Sequence, residues 1–193
     1  MNAFKIPKLS FADYLQIEID SDIKHEYHDG QIYALAGGTL NHATISGNVF
    51  REIGNHLKVK QSKCVPFNSD AKLHIEALNS YVYPDSMVVC EEIENENYVT
   101  NPVLIIEVLS KSTAAYDRGD KFYKYRQIPT FKEYVLIEQD KYVVDICYKH
   151  PNSDLWSFNR YEGLATSIQL QSIDLEITME DLYYRTKIES VGN

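Results

Sequence analysis

Cysteine is scarce in this 193-residue chain: Cys64, Cys90 and Cys147 are far apart and form no Cys-x-x-Cys pair. Neither a disulfide framework nor a zinc–cysteine site is expected from that pattern, and the three are read as reduced thiols. Long apolar runs are also missing, and none approaches the roughly 18–20 residues of a membrane-crossing helix. The opening residues, Met1 to Lys8, lack the uninterrupted apolar stretch of a signal peptide. A cytoplasmic protein with no membrane association is expected. Positive charge is in deficit, with 19 Lys and Arg against 28 Asp and Glu, a net charge of −9. Nonspecific nucleic-acid binding relies on Lys and Arg neutralising phosphates, so this balance counts against DNA. The eight glycines build no Gly-x-Gly-x-x-Gly, no phosphate-cradling Gly-Lys-Ser/Thr loop and no Gly-x-Ser-x-Gly, and His-Glu-x-x-His is absent as well.

What is present is ordinary for a globular chain, with 44% hydrophobic and 24% charged residues. The length suits one domain over residues 1–193, large enough to bury a core without disulfides or a structural metal. Ser10 to Leu15 reads as a capped helix start, and Asp29-Gly30 as the tight turn of a hairpin. Ile45, Val49, Ile53 and Leu57 form one apolar helical stripe. Ser46, Gly47 and Asn48 beside it are small enough to suggest close approach to a sheet. Strands are expected at Cys64–Phe67, Ala71–Ile75, Tyr81–Cys90, Glu133–Glu138, Tyr142–Tyr148 and Leu155–Tyr161, with a loop from Glu91 to Asn101. Val103–Leu109 is short, β-branched and lacks alternation, as a central strand covered on both faces would be. A helix is expected from about Tyr116 to Gln127, and a short one after Thr178. An α/β (α+β) fold with a mixed sheet follows.

Glu107 interrupts the most apolar strand. A carboxylate there is costly to bury unless a metal or an internal Lys or Arg neutralises it, and displaced ionisable groups concentrate at sites. Asp85 follows Pro84 at a strand entry, which alone is common turn chemistry. Paired with Glu107 it could hold a hard divalent cation through oxygen. Asp117, Lys121 and Tyr125 are spaced four apart and share a helical face, either as an exposed ion pair or with Lys121 leaning over the strand end to orient water or offset phosphate charge. Glu26 precedes the hairpin turn, where an exposed glutamate is the plainer reading. His42 lies on the inward stripe of its helix and reads as a core or capping histidine. Asp70 reads as turn chemistry.

Pro84-Asp85 followed by Glu107-Val108-Leu109-Ser110 resembles the PD-(D/E)XK restriction-endonuclease-like superfamily. Glu26 to Gly30, His42, Ile106 to Thr113, Asp117, Lys121, Tyr125, Glu133 to Leu136 and Thr178 to Leu182 extend the likeness over nearly the whole chain. In that order they resemble the Uma-two family of restriction-endonuclease-like proteins. The resemblance implies a mixed sheet flanked by helices, with an N-terminal helix and hairpin. It also implies a nuclease hydrolysing phosphodiester bonds, in DNA, with Mg²⁺ or Mn²⁺ on Asp85, Glu107 and the Val108 carbonyl. Glu26 becomes an auxiliary acid and His42 a support for the ligands. The motif lysine's place two residues after Glu107 holds Leu109, so Lys121 is its relocated counterpart. A homodimer fits the family and the commonness of two-fold assemblies. The competing expectation is a non-catalytic binding or assembly module, in which an internal cation neutralises Glu107. Lys111, Arg118, Lys121, Lys124 and Arg126 could still form a local basic face despite the net charge.

Overall fold

The computed structural model describes residues 8–188. Helix α1 (Phe11–Asp20) opens with a reciprocal cap: the Ser10 side chain accepts from Asp13 N, and the Asp13 carboxylate accepts from Ser10 N. Strands β1 (His25–His28) and β2 (Gln31–Ala34) form the expected hairpin. Asp29 and Gly30 both sit at positive φ, +43° and +96°, the backbone this tight turn demands. At Gly30 a Cβ would stand 2.5 Å from Lys8 Cβ, so only glycine fits. Helix α2 (Leu40–Val59) buries Ile45, Val49, Ile53 and Leu57, the stripe read from the sequence.

Five further strands follow: β3 (Val65–Asn68), β4 (Leu73–Ile75), β5 (Ser80–Val82), β6 (Ser86–Val89) and β7 (Pro102–Leu109). After β7 come α3 (Ala114–Tyr116), a π-helical turn (Asp117–Lys121) and α4 (Phe122–Tyr125). Strands β8 (Glu133–Glu138), β9 (Val143–Lys149) and β10 (Trp156–Glu162) precede the hairpin β11 (Ser167–Leu170) and β12 (Leu175–Thr178), and α5 (Met179–Leu182) closes the order.

The main sheet runs β10-β9-β8-β7-β6-β3, with β7 and β8 parallel and its other neighbours antiparallel. A smaller antiparallel sheet runs β2-β1-β5-β4. All eight residues of β7 are buried, as its composition implies. Leu104, Ile106 and Val108 pack with α2 and the β11–β12 hairpin. Ile105 and Leu109 pack on the other face with Tyr125, Ile128 and Phe131. Period-2 alternation therefore sends Glu107 to the face roofed by residues 114–125.

Several expectations change. Cys64 and Cys90 form a disulfide, leaving Cys147 as the free thiol. The pairing of Val65 with Val89 places the two cysteines opposite each other one residue beyond, a coincidence of register that spacing alone does not reveal. The expected strand Tyr81–Cys90 is two strands in different sheets, because the chain crosses between them at residues 83–85, where Pro84 has no N–H to donate. The expected helix from about Tyr116 to Gln127 is present as a continuous run through α3, the π turn and α4, with the π turn at its centre. At Gly47 an added Cβ would meet nothing within 4 Å, so no close packing requires that glycine. The β11–β12 hairpin was not expected at all. Among the described residues no helix is long and apolar enough to cross a membrane.

Candidate active site

The sheet crossing at Pro84-Asp85 brings the two sheets together at one point. Ser86 pairs with Ile106, so continuing that antiparallel register sets Asp85 opposite Glu107. Asp85 Oδ2 accepts the Val108 N–H at 2.7 Å and lies 3.2 Å from His42 Nε2. Ser46 Oγ donates to the Asp85 carbonyl at 3.4 Å. His42 thus leaves the core position read from the sequence and faces the aspartate. Its pKa is raised by that hydrogen bond, against the opposing effect of burial.

Glu107 is buried, and Tyr125 donates its hydroxyl to Glu107 Oε1 at 2.7 Å. Lys121 Nζ stands 2.9 Å from the same oxygen. Both contacts fall on Oε1 and leave Oε2 to other partners. Lys121 also lies 3.5 Å from Asp117 Oδ1 and 3.7 Å from Glu26 Oε1. The face shared by Asp117, Lys121 and Tyr125 is therefore real, but it is turned inward rather than exposed. The π turn widens the helix where Asp117 and Lys121 sit, a distortion common at functional sites.

Glu26 is likewise buried, contrary to an exposed hairpin glutamate. Its Oε2 meets His28 Nε2 at 3.1 Å, while its Oε1 is buried without a hydrogen-bond partner. Burial raises the Glu26 pKa, but the His28 hydrogen bond and the Lys121 charge outweigh it and hold the carboxyl below its usual range. Glu107 goes the other way: burial, with the nearby charges of Asp85 and Asp117, pushes it up to about 8 despite Lys121. Asp117 is raised by burial too. For Lys121, burial is overcome by the surrounding carboxylates, and its pKa lies far above the ordinary lysine value. It is a permanent cation here.

The sequence singled out neither Tyr116 nor His28 as a site residue, yet both line one flank. Lys124 Nζ donates to Tyr116 Oη at 2.8 Å and lies 3.3 Å from His28 Nδ1. The only signal was their position near Glu26 and Lys121. The basic run does not form a continuous face. Arg118 is tied to Asp145 and Glu138, Lys121 is buried, and Arg126 lies over the Phe122 and Trp156 rings.

Access is narrow. Side chains of Glu26, Glu107, Asp117 and Lys121 are each under a tenth exposed, against 14% for Asp85 and 20% for His42. Among the described residues, no three His, Cys, Asp or Glu side chains are arranged as a ready-made metal cage. A magnesium site does not need one, because the ion usually takes one or two carboxylates and fills its sphere with water and phosphate. The oxygen-only donors, the free Glu107 Oε2 and the orphaned Glu26 Oε1 suit such a cation.

A family model described as "Putative restriction endonuclease" (Uma2) matches residues 11–180. Two proteins of Synechocystis sp. (strain ATCC 27184 / PCC 6803 / Kazusa) are similar. "Uncharacterized protein slr1290" is 38% identical over 179 residues, covering 92% of each chain. "Uncharacterized protein sll1609" is 40% identical over 165 residues, covering 83% of this chain and 92% of the relative. The fold resembles the crystal structure of "a putative nuclease belonging to DUF820" from Anabaena variabilis ATCC 29413. That likeness has a TM-score of 0.66 at 16% identity and covers 88% of this chain and 97% of the other. The nuclease-like fold, the family match over most of the chain and the two full-length relatives agree: the chain belongs to the Uma-two family of restriction-endonuclease-like proteins.

Proposed function

We propose that this chain is a divalent-metal-dependent nuclease hydrolysing phosphodiester bonds in DNA, working in the cytoplasm as a homodimer. The observation that carries the proposal is a local charge imbalance. Glu26, Glu107 and Asp117 surround one ammonium, and Asp85 adds a fourth carboxylate. Four negative groups against Lys121 leave 1 − 4 = −3 when all are ionised, which a divalent cation would largely offset. Asp85, Glu107 and the Val108 carbonyl would hold Mg²⁺ or Mn²⁺, with Glu26 as the auxiliary acid. When bound, the cation would supply a water of lowered pKa and stabilise charge on the attacked phosphate.

The protein groups divide the remaining work. His42 and the Val108 N–H fix the Asp85 carboxylate, and Tyr125 fixes Glu107. Lys121 keeps its proton, so it serves as a charge stabiliser and water-orienting donor rather than as a general base.

One observation favours a second reading, a fold-retaining binding module: Lys121 already occupies Glu107 Oε1 at 2.9 Å. A cleavage assay separates the two. Purified protein with Mg²⁺ or Mn²⁺ is expected to cut DNA, and both chelation and Glu107→Ala are expected to abolish cutting. If single- and double-stranded DNA stay intact, or Glu107→Ala protein cuts equally well, the nuclease reading is wrong.

A further inference from the structure

The main sheet ends on one side in β3, four residues long and containing Pro66, a short edge with one N–H missing. Its other end is β10, seven residues paired with β9 without a register shift. It carries no proline, glycine or bulge, and its only charged residues are Arg160, which is tied to Asp145, and Glu162 at its end. Its outer backbone groups have no partner strand among the described residues. Phe158, at its centre, is 69% exposed, and Leu155 just before it 71%.

We propose that β10 joins a second copy of this chain, antiparallel, about a two-fold axis at Asn159, making one continuous sheet through two protomers. The pattern Trp-Ser-Phe-Asn-Arg-Tyr-Glu is self-complementary in that register. Trp156, Phe158, Arg160 and Glu162 share one face, as the Phe122 contacts of Trp156 and Phe158 and the Asp145 contacts of Arg160 indicate. Phe158 of each copy then opposes Arg160 of the other, a ring beneath a guanidinium, twice. On the opposite face Ser157 opposes Tyr161, and Asn159 opposes itself. Sliding by one side-chain repeat is unfavourable either way: centring on Arg160 opposes two guanidiniums, and centring on Phe158 opposes Glu162 with Asp154. Charge thus selects this register over its neighbours, and the facing of Phe158 with Arg160 makes the strand its own partner.

No readout in the test depends on cleavage, so its failure and that of the nuclease reading are separable. Light scattering on the wild-type chain is expected to give twice the monomer mass. Phe158→Asp, at an exposed position, is expected to halve that mass with an unchanged circular dichroism spectrum. Asn159→Cys is expected to form a reducible inter-chain disulfide, because directly opposed strand residues lie within disulfide reach. Ser157→Cys is the control: its own counterpart would be four residues along, roughly 13 Å away, and no cross-link should form. A monomeric wild type overturns the proposal. So does a dimer untouched by Phe158→Asp, or one in which Asn159→Cys stays uncross-linked.

Discussion

Lys121 is the residue on which the candidate site balances. It is one buried ammonium facing Glu107, Glu26 and Asp117, and each carboxylate is tolerable in its place chiefly because the lysine is there. Breaking a buried ion pair from one side leaves uncompensated charge, which costs about 3–5 kcal/mol. Lys121→Met is therefore expected to lose about that much stability at neutral pH. Glu107 and Asp117 already have raised pKa values when folded, and removing the cation raises them further. A folded state that binds more protons than the unfolded one loses stability as pH rises. The deficit of Lys121→Met should accordingly shrink on acidification toward the ordinary carboxylate range and grow as pH rises, which urea melts at several pH values would show. A deficit independent of pH would mean that the carboxylates do not depend on Lys121. Glu107 was legible in the sequence because an acid in an apolar strand is a local anomaly, whereas Asp85, ordinary turn chemistry by itself, stood out only when paired with Glu107. The burial of Glu26 was not legible, since it arises when a residue of the small sheet meets Lys121 of the π turn, far away in sequence.

At the scale of elements, what the sequence revealed was periodicity. The four-residue stripe of α2 and the uninterrupted apolar run of β7 each state which faces are covered, and both are found so. Pairings between distant segments carry no such local mark. The disulfide depends on the register of β3 against β6, and the split of Tyr81–Cys90 on a change of sheet. Gly47 shows the same limit: a small residue on a packed helix suggests close approach, but the space around it is open. A glycine in mid-helix with room for a methyl group keeps the entropic penalty without a packing gain. Gly47→Ala is expected to stabilise the chain by about 0.5–1 kcal/mol, a rise of roughly 1–4 °C in Tm by calorimetry. A fall in Tm would show that the glycine is needed by contacts that α2 makes only in a larger assembly.

For the molecule as a whole, the −9 charge first counted against a nucleic-acid ligand. Three of the 28 acidic residues lie around Lys121, and Asp85 acts on Glu107 beside them, so part of the excess is concentrated where a cation could sit, not spread over the surface. A ligand that binds the folded state alone raises stability by RT ln(1 + [L]/Kd), about 2.7 kcal/mol at a hundredfold excess over Kd. If Asp85 and Glu107 hold Mg²⁺ or Mn²⁺, the cation should raise Tm even without DNA, and Asp85→Asn or Glu107→Gln should remove the rise. The pH dependence follows from Glu107, which is pushed up to about 8 by burial and by its acidic neighbours. Metal must displace the proton that Glu107 holds below that value, because carboxylate ligands bind deprotonated. The metal-induced gain in Tm should thus be small near neutral pH and larger above about 8. Calcium, which also takes oxygen ligands, should follow the same curve if the site is a carboxylate one. A gain that is flat with pH, or that survives Glu107→Gln, would place the bound cation at other acidic residues.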